Sequence, residues 1–476
     1  MAFPISNQPP VTLSARLLHR HLPAACFLLG ALLTLCLLAL ARVAAAPSDT
    51  LTMLYTGDTR GRVEPCGCSE GILGGLPRRA TMLKRLKAGS PSAVILEAGS
   101  LLGKSSDVLK VPLMVKCLKQ MGYTAANLGA ADSRWRNRLA SEMERAGLAG
   151  VSFDLPGGVV TRGRVVTAGG LRLGLTGISR CPTSTNRKAF QATLASLRGK
   201  CDLVVILSAA PPADNLRLLK DLGRPSRDPL SLEGEARLRG GRIERNPGEA
   251  PRPHPRPAGR GYGLPPVILI GPTLGKPQLL RTGSAYLAPV TPEGGHVGRV
   301  RLTLGNDWSI TSAVLDLFPL GDAVPDDLPT LQAVQAYYDQ VAEELLAKKG
   351  AASVEAGYAL ASSCAYCHGD IHRKWQRLPH ARAVADLKRV GRDLAPDCLQ
   401  CHSEYFRRTG KAPVQPEQRM GVECASCHGE GFMLILRPSK MAAAAKPDAK
   451  VCTSCHTRER SPHFNFAAYK RKIRHW

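Results

Sequence analysis

The chain has 476 residues, and its 64 Lys and Arg against 38 Asp and Glu give a formal charge of +26. A chain of this length argues against a single domain and provides for two or three, each with its own core. The excess of base points to a polyanion or an anionic membrane surface only if no bound cofactor brings compensating negative charge.

The N-terminus places Arg16, His19, Arg20 and His21 before the apolar run LPAACFLLGALLTLCLLALA, and RVAAAPSD follows with Ala44 and Ala46 in an A-x-A arrangement. This layout predicts a secretory signal peptide over 1–46 and a mature chain beginning near Pro47. The apolar run is close to spanning length, so an uncleaved membrane anchor is the alternative. Both readings export the rest of the chain, to the periplasm or otherwise out of the cytoplasm, with membrane association in the anchored case.

Residues 49–321 alternate short β-branched runs with helical stretches, which predicts an α/β domain. LTMLYT, SAVILEA, CDLVVILS and PPVILIG read as buried strands, and GGLPRRATMLKRLKA reads as a helix after a loop. RVVTAGGLRLGLTGI reads as a hairpin turning at Gly169 and Gly170. The stretch 222–265 is dense in Arg, Pro and Gly and poor in large apolar residues, so it is expected to be a disordered insert. HVGRVRLTL and ITSAVLDLF read as paired strands that close the domain. Residues 322–350 then predict a connecting helix, with Asp327 as N-cap and Gly350 as C-cap.

From 351 to 476 hydrophobic periodicity is weak, and CAYCH, CLQCH, CASCH and CTSCH appear in turn. They place Cys364, Cys367 and His368; Cys398, Cys401 and His402; Cys424, Cys427 and His428; and Cys452, Cys455 and His456. Chance would supply on the order of 0.01 such matches in a chain of this composition. Two thiols one short turn apart can form thioethers to the two vinyl groups on one haem edge, and the imidazole that follows lies under the iron. The pattern therefore predicts four covalently attached haem c groups in a mostly α-helical, haem-cored domain. Zinc cages are the competing use of Cys-x-x-Cys pairs, but they give no role to a His directly after every second Cys.

Four further histidines, His372, His380, His463 and His475, equal the number of haems, so bis-histidine ligation of all four is open without another ligand type. Met420, Met433 and Met441 are the competing axial donors. His372, four residues after His368, is better placed for a neighbouring haem than for its own, or else lies on the surface. Each haem carries two propionates, so four bring about eight negative charges against the basic surface.

The run CAYCHGDIHRKWQRLPHARAVADLKRVGRDLAPDCLQCHSEYF, with GVECASCHGEG and CTSCHTRERSPHFNFAAYKRKIRH, resembles the tetrahaem cytochrome c five-fifty-four family over 362–475. The resemblance implies closely stacked haems, electron transfer, and His380 and His475 as distal ligands. Members of that family can keep one haem five-coordinate. This chain lacks the further His that relatives carry soon after GVECASCHG, since EGFMLILRPSK has none.

Residues 51–317, opening with LTMLYTGDTRGRVEPCGCSEGILGG, resemble the metallophosphatase domain of the 5′-nucleotidase family, a layered sandwich that clamps two metal ions. Asp58 is retained. Arg60 stands where that family has His, Ser100 where it has Asp, and NLGAADS (127–133) where Asn-His-Glu would stand. Only His254 and His296 occur between the leader and the repeated motifs, too few ligands for two hard cations. The domain is therefore expected to be a non-catalytic scaffold or docking platform, with Asp58 a turn or cap residue. Cys66 and Cys68 are too close for an ordinary mutual disulfide, which leaves bonds to two of Cys117, Cys181 and Cys201, or a redox-active thiol role.

These readings lead to an exported tetrahaem c-type cytochrome that passes electrons between redox partner proteins, acidic or membrane-bound, with no nucleic acid partner. The alternative is a multihaem oxidoreductase with one five-coordinate haem acting on a small nitrogen or sulfur compound.

Overall fold

Along the first strand Leu51, Met53 and Tyr55 alternate with Thr52, Leu54 and Thr56, and the period of two sends the sets to opposite faces. Leu51, Met53 and Tyr55 end in one buried cluster and Leu54 in another, so this strand is covered on both sides. The computed structural model describes residues 50–65, 73–103, 107–224, 265–305, 309–347, 360–413, 421–429, 447–457 and 460–475. The leader over 1–46, Cys66 and Cys68, and the insert from 225 to 264 lie outside these residues. Among the described residues no helix is long and apolar enough to cross a membrane.

The first half of the α/β region runs β1 (Thr50–Thr56), α1 (Leu76–Ala88), β2 (Val94–Glu97), α2 (Lys110–Gln120), β3 (Ala125–Asn127), α3 (Arg136–Ala146), β4 (Ala149–Val151) and β5 (Val160–Thr161). The second half runs β6 (Arg164–Ala168), β7 (Leu171–Ile178), α4 (Arg187–Arg198), β8 (Leu203–Ser208), α5 (Pro212–Gly223), β9 (Val267–Pro272), β10 (Leu280–Thr282) and β11 (Ala285–Val290). The antiparallel pair β12 (His296–Leu304) and β13 (Ile310–Pro319) returns to the first sheet, and α6 (Leu328–Ala347) follows. One sheet has the order β13-β12-β1-β2-β3-β4-β5 and the other β10-β11-β9-β8-β7-β6. The strands β1 through β5 are parallel, and likewise β7, β8, β9 and β11, with helical crossovers at every step except β4 to β5 and β9 to β11.

The same alternation repeats on the second sheet. Leu203, Val205 and Leu207 of β8 and Ile268 and Ile270 of β9 meet β1 and β2 between the sheets. Val204, Ile206 and Leu269 turn the other way, under Phe190 and Leu194 of α4 and Leu218 of α5. The result is a four-layer sandwich of helices, sheet, sheet and helices, the α/β class expected from the sequence. The β6–β7 hairpin turns at Gly169 and Gly170, whose φ values of 55° and 81° are those a two-residue turn requires. Helix α5 runs through Gly223, two residues into the range expected for the insert.

Helix α6, expected from the sequence as a connector, packs against both regions. Asp327 caps it as read from the sequence, its Oδ1 accepting from Thr330 N at 3.3 Å and Thr330 Oγ1 at 2.7 Å. Its Val334, Tyr337, Tyr338 and Val341 are buried in one cluster with Leu76 and Leu83 of α1 and Met114 and Leu118 of α2. Its first turns are thereby part of the α/β core, while Leu345 near its end packs with Leu387, Leu399 and Phe406 of the C-terminal region.

One buried charge network sits within this region. Arg79 of α1 is 1% exposed and Glu97 of β2 is fully buried; Arg79 Nη1 lies 3.6 Å from Glu97 Oε2, and Arg79 Nη2 donates to Thr59 Oγ1 at 2.8 Å. Thr56 Oγ1 donates to Glu97 Oε2 at 2.5 Å. His296, at the start of β12, has its Nδ1 3.2 Å from Thr291 Oγ1, and burial lowers its pKa below the usual value. A histidine with a depressed folded pKa contributes stability that is full above its unfolded pKa of about 6.5 and is lost as pH falls toward the folded value. Acidification from pH 7 to 5 should therefore lower the urea unfolding midpoint of the wild type more than that of His296→Gln; equal midpoint shifts in the two proteins would refute this.

The C-terminal region is built of short helices: α7 (Ala361–Cys364), α8 (Gly369–Gln376), α9 (Ala383–Arg389), α10 (Pro396–His402), α11 (Glu404–Thr409), α12 (Cys424–His428), α13 (Ala449–Thr453) and α14 (Phe466–Lys472). Its apolar contacts form two small clusters, one of Leu345, Leu387, Leu399, Phe406 and Ala412 and one of Ala361, Trp375 and Ala381. All the described residues, α/β and C-terminal, fall within one compact unit.

Candidate cofactor site

Each repeated motif takes up a helical turn, which puts positions i, i+3 and i+4 on one face. Cys398, Cys401 and His402 lie on α10, and Cys424, Cys427 and His428 make up α12. The other two close the same turn beyond a helix end: His368 N donates to Cys364 O at 2.9 Å, and His456 N donates to Cys452 O at 2.9 Å. In all four motifs the geometry presents two thiols and an imidazole together.

The fold then brings different motifs together. The Cys364 thiol lies beside that of Cys424, and the Cys401 thiol beside that of Cys455. Within each pair the neighbouring thiol pulls one member down, Cys364 to about 7 and Cys401 to about 6, and the other is pushed up. Burial pushes Cys398 and Cys427 up to about 11.

Two of the four additional histidines meet motif imidazoles. His380 faces His456 with ring centroids 6.2 Å apart, and His475 faces His428 at 6.2 Å. Three rings are oriented through Nδ1, which leaves Nε2 to point elsewhere: His402 donates to Ala383 O at 3.1 Å, His475 donates to Ile473 O at 2.7 Å, and His456 hydrogen-bonds Ser461 Oγ at 2.9 Å. Burial lowers the pKa of His380, with His456 and His402 adding to the effect, and burial also lowers that of His456. Both rings are thereby kept in the neutral, ligating form.

His372 stands one turn after His368 on α8, its ring 5.4 Å from Trp375, and its buried Nε2 meets no hydrogen-bond partner among the described residues. A buried imidazole nitrogen without a partner is an observation that a metal-bound cofactor accounts for. His463 is exposed, and no motif imidazole faces it among the described residues. Met420, Met433 and Met441 lie outside them. Among the described residues no three or more His, Cys, Asp and Glu side chains converge as a cluster able to hold a bare metal ion.

A cavity of ≈ 2100 Å³ lies between these motifs and the strand ends of the α/β domain. Cys398, Cys401, His402, His380, Cys455 and His456 line one side, and Asp58, Arg60, Ser100 and Lys110 the other. Ordinary small-molecule pockets are roughly 300–1,000 Å³, so this half-open cleft is larger than one of them.

The residues aligned above with a two-metal centre are bound up in backbone contacts. Asp58, Arg60 and Ser100 take left-handed φ values of 53°, 54° and 58°, and Arg60 Nε donates to Asp58 Oδ1 at 2.8 Å. Burial raises the Asp58 pKa while Arg60 draws it down. Asn127 Nδ2 lies within 2.9–3.0 Å of the carbonyls of Ala98, Ile178 and Leu207, tying the two sheets together. Asp132 accepts from the backbone N–H groups of Leu101, Leu102 and Gly129. Of the remaining cysteines, Cys117 is buried, with its thiol pushed up to about 12, and neither it nor Cys181 forms a disulfide among the described residues.

Residues 363–429, a stretch that holds the first three motifs, match the family described as cytochrome c554 and c-prime. The match likens the C-terminal region to multihaem c-type cytochromes, and haem c is the cofactor that family implies. The fourth motif, Cys452 to His456, lies beyond the matched stretch and rests on its own spacing. No curated protein matches the chain.

Solved structures similar to the α/β region include a 5′-nucleotidase precursor from Thermus thermophilus, at 17% identity and TM-score 0.47 over 63% of this chain and 60% of that one. The sulfate thiohydrolase SoxB of Thermus thermophilus is similar at 15% identity and TM-score 0.44, over 63% of this chain and 62% of that one. The calcineurin-like phosphoesterase YfkN of Bacillus subtilis is similar at 12% identity and TM-score 0.40, over 62% of this chain and 98% of that one. The chain thus spans about three fifths of the length of the first two.

Proposed function

We propose that the protein is an exported electron carrier with four covalently attached haem c groups, built against a non-catalytic α/β domain. The supporting observation is the two facing imidazole pairs, His380 with His456 and His428 with His475, each at 6.2 Å. Two imidazoles that bind one iron from opposite sides, at metal–nitrogen bonds of about 2 Å each, hold their ring centroids about 6 Å apart.

In this reading the eight motif cysteines carry the thioethers, and His368, His402, His428 and His456 take the near side of the irons. His380 and His475 close the far side of two. The Nδ1 contacts of His402, His456 and His475 fix ring orientation and raise ligand basicity. When bound, the haems supply a one-electron iron couple. A closed and rigid ligand set suits electron transfer, because oxidation state then changes with little movement of the coordinating side chains. The haem propionates leave much of the basic surface uncompensated, which steers encounter with an acidic redox partner. Residues 1–46 direct export to the periplasm or hold the protein at the inner membrane.

The exposure of His463 favours a second reading. Without it, His372, His380 and His475 remain as three far-side histidines for four irons, so that one position would be open to a small nitrogen or sulfur compound in a haem oxidoreductase. Mass spectrometry of the natively matured protein, with EPR of its ferric form, separates these readings. Four haem increments and low-spin signals alone are expected for the carrier. A high-spin ferric signal with rapid CO or NO binding would overturn it in favour of the oxidoreductase, and no haem increment would overturn both.

A further inference from the structure

The second motif is built into the α/β domain. Helix α10 begins beside Ala395, which is 3% exposed and belongs to the same buried cluster as α1, α2 and α6, and Cys398 packs against that cluster too. Two cationic contacts fasten this junction. Arg392, just before α10, gives Nε and Nη2 to the two oxygens of Glu64 at 3.0 and 2.9 Å, donates Nη1 to Gln335 Oε1 at 3.0 Å, and lies 4.2 Å over the Tyr338 ring. Lys110, the first residue of α2, has a side chain 3% exposed and pairs with Asp397, the residue before Cys398.

A buried ammonium is expensive to desolvate and is retained where its charge is matched. Here it is matched by a half-exposed carboxylate next to a haem-attachment cysteine, in the wall of the cavity described above.

We propose that the α/β domain forms one wall of the second motif's haem site, and that the Lys110–Asp397 pair sets that haem's reduction potential from the α/β side. The inference rests on the haem reading of the motifs. A fixed positive charge disfavours the more positive ferric state and raises the potential, and a fixed negative charge lowers it.

The test uses the full-length, natively matured protein, with haem stoichiometry from mass spectrometry and potentials from optical redox titration. Lys110→Met, which keeps an apolar stem of similar length, should shift one haem's reduction equilibrium about tenfold toward the ferric form, about 59 mV downward for one electron. Asp397→Asn should move the same haem upward, and Lys110→Met with Asp397→Asn should return it toward the wild-type value. A loosened interface would move both single variants in one direction and give no return in the double. Shifts of the same sign, or no shift with four haems in place, overturn this inference alone. Wild-type protein without haem at Cys398 and Cys401 overturns the underlying reading as well.

Discussion

Replacing His380 with alanine should convert one haem from low-spin to high-spin and open its iron to carbon monoxide, leaving the haem count unchanged. The ring of His380 faces that of His456 at 6.2 Å and 56°, and burial keeps both in the neutral form in which an imidazole nitrogen can bind a metal. His456 is held from behind by Ser461 and stacked on Phe464 at 4.8 Å, so it should stay in place when its opposite number is removed. The loss is therefore confined to one coordination position. Spin counting by EPR and a CO difference spectrum on His380→Ala check it; an unchanged low-spin spectrum would remove His380 from the ligand set. His475→Ala, opposite His428, should give the same signature at a different haem.

Arg79→Met should destabilise the α/β domain by about 3–5 kcal/mol, the cost of leaving a buried charge without its partner. Glu97 is fully buried; desolvation drives its carboxyl pKa up, and Arg79 is the cation that opposes this. Arg79→Met combined with Glu97→Gln should recover most of the loss, because the uncompensated carboxylate is then gone as well. Urea unfolding of the four proteins of this cycle provides the measurement. A single variant within about 1 kcal/mol of wild type would mean that Glu97 carries its proton in the fold, so that no buried charge is left without a partner.

The sequence made local features legible and long-range ones obscure. LTMLYT and CDLVVILS read as buried strands because they are short apolar runs bounded by turn signals, and the β6–β7 turn was legible in two adjacent glycines. The Cys-x-x-Cys-His motifs were readable for the same reason, since thiols and imidazole share a single helical turn. Helix α6 was read as a connector because its apolar face says nothing about what covers it. Arg79 sits among Arg78, Lys84, Arg85 and Lys87, and only the fold separates the buried one from the solvated run.

Likewise His380, His463 and His475 look alike in sequence, yet two meet a motif imidazole and one is exposed. Lys110 and Arg392 carried no local mark, because their partners Asp397 and Glu64 are 287 and 328 positions away.

The packing of Cys398 against the α/β core also constrains the order of biogenesis. The Cys398 thiol is half-buried against Ala395 and the α/β helices, and burial pushes its pKa up to about 11, so it is a weaker nucleophile in the closed fold than in the open chain. On the haem reading proposed above, the thioether at the second motif forms more readily before those helices pack against it.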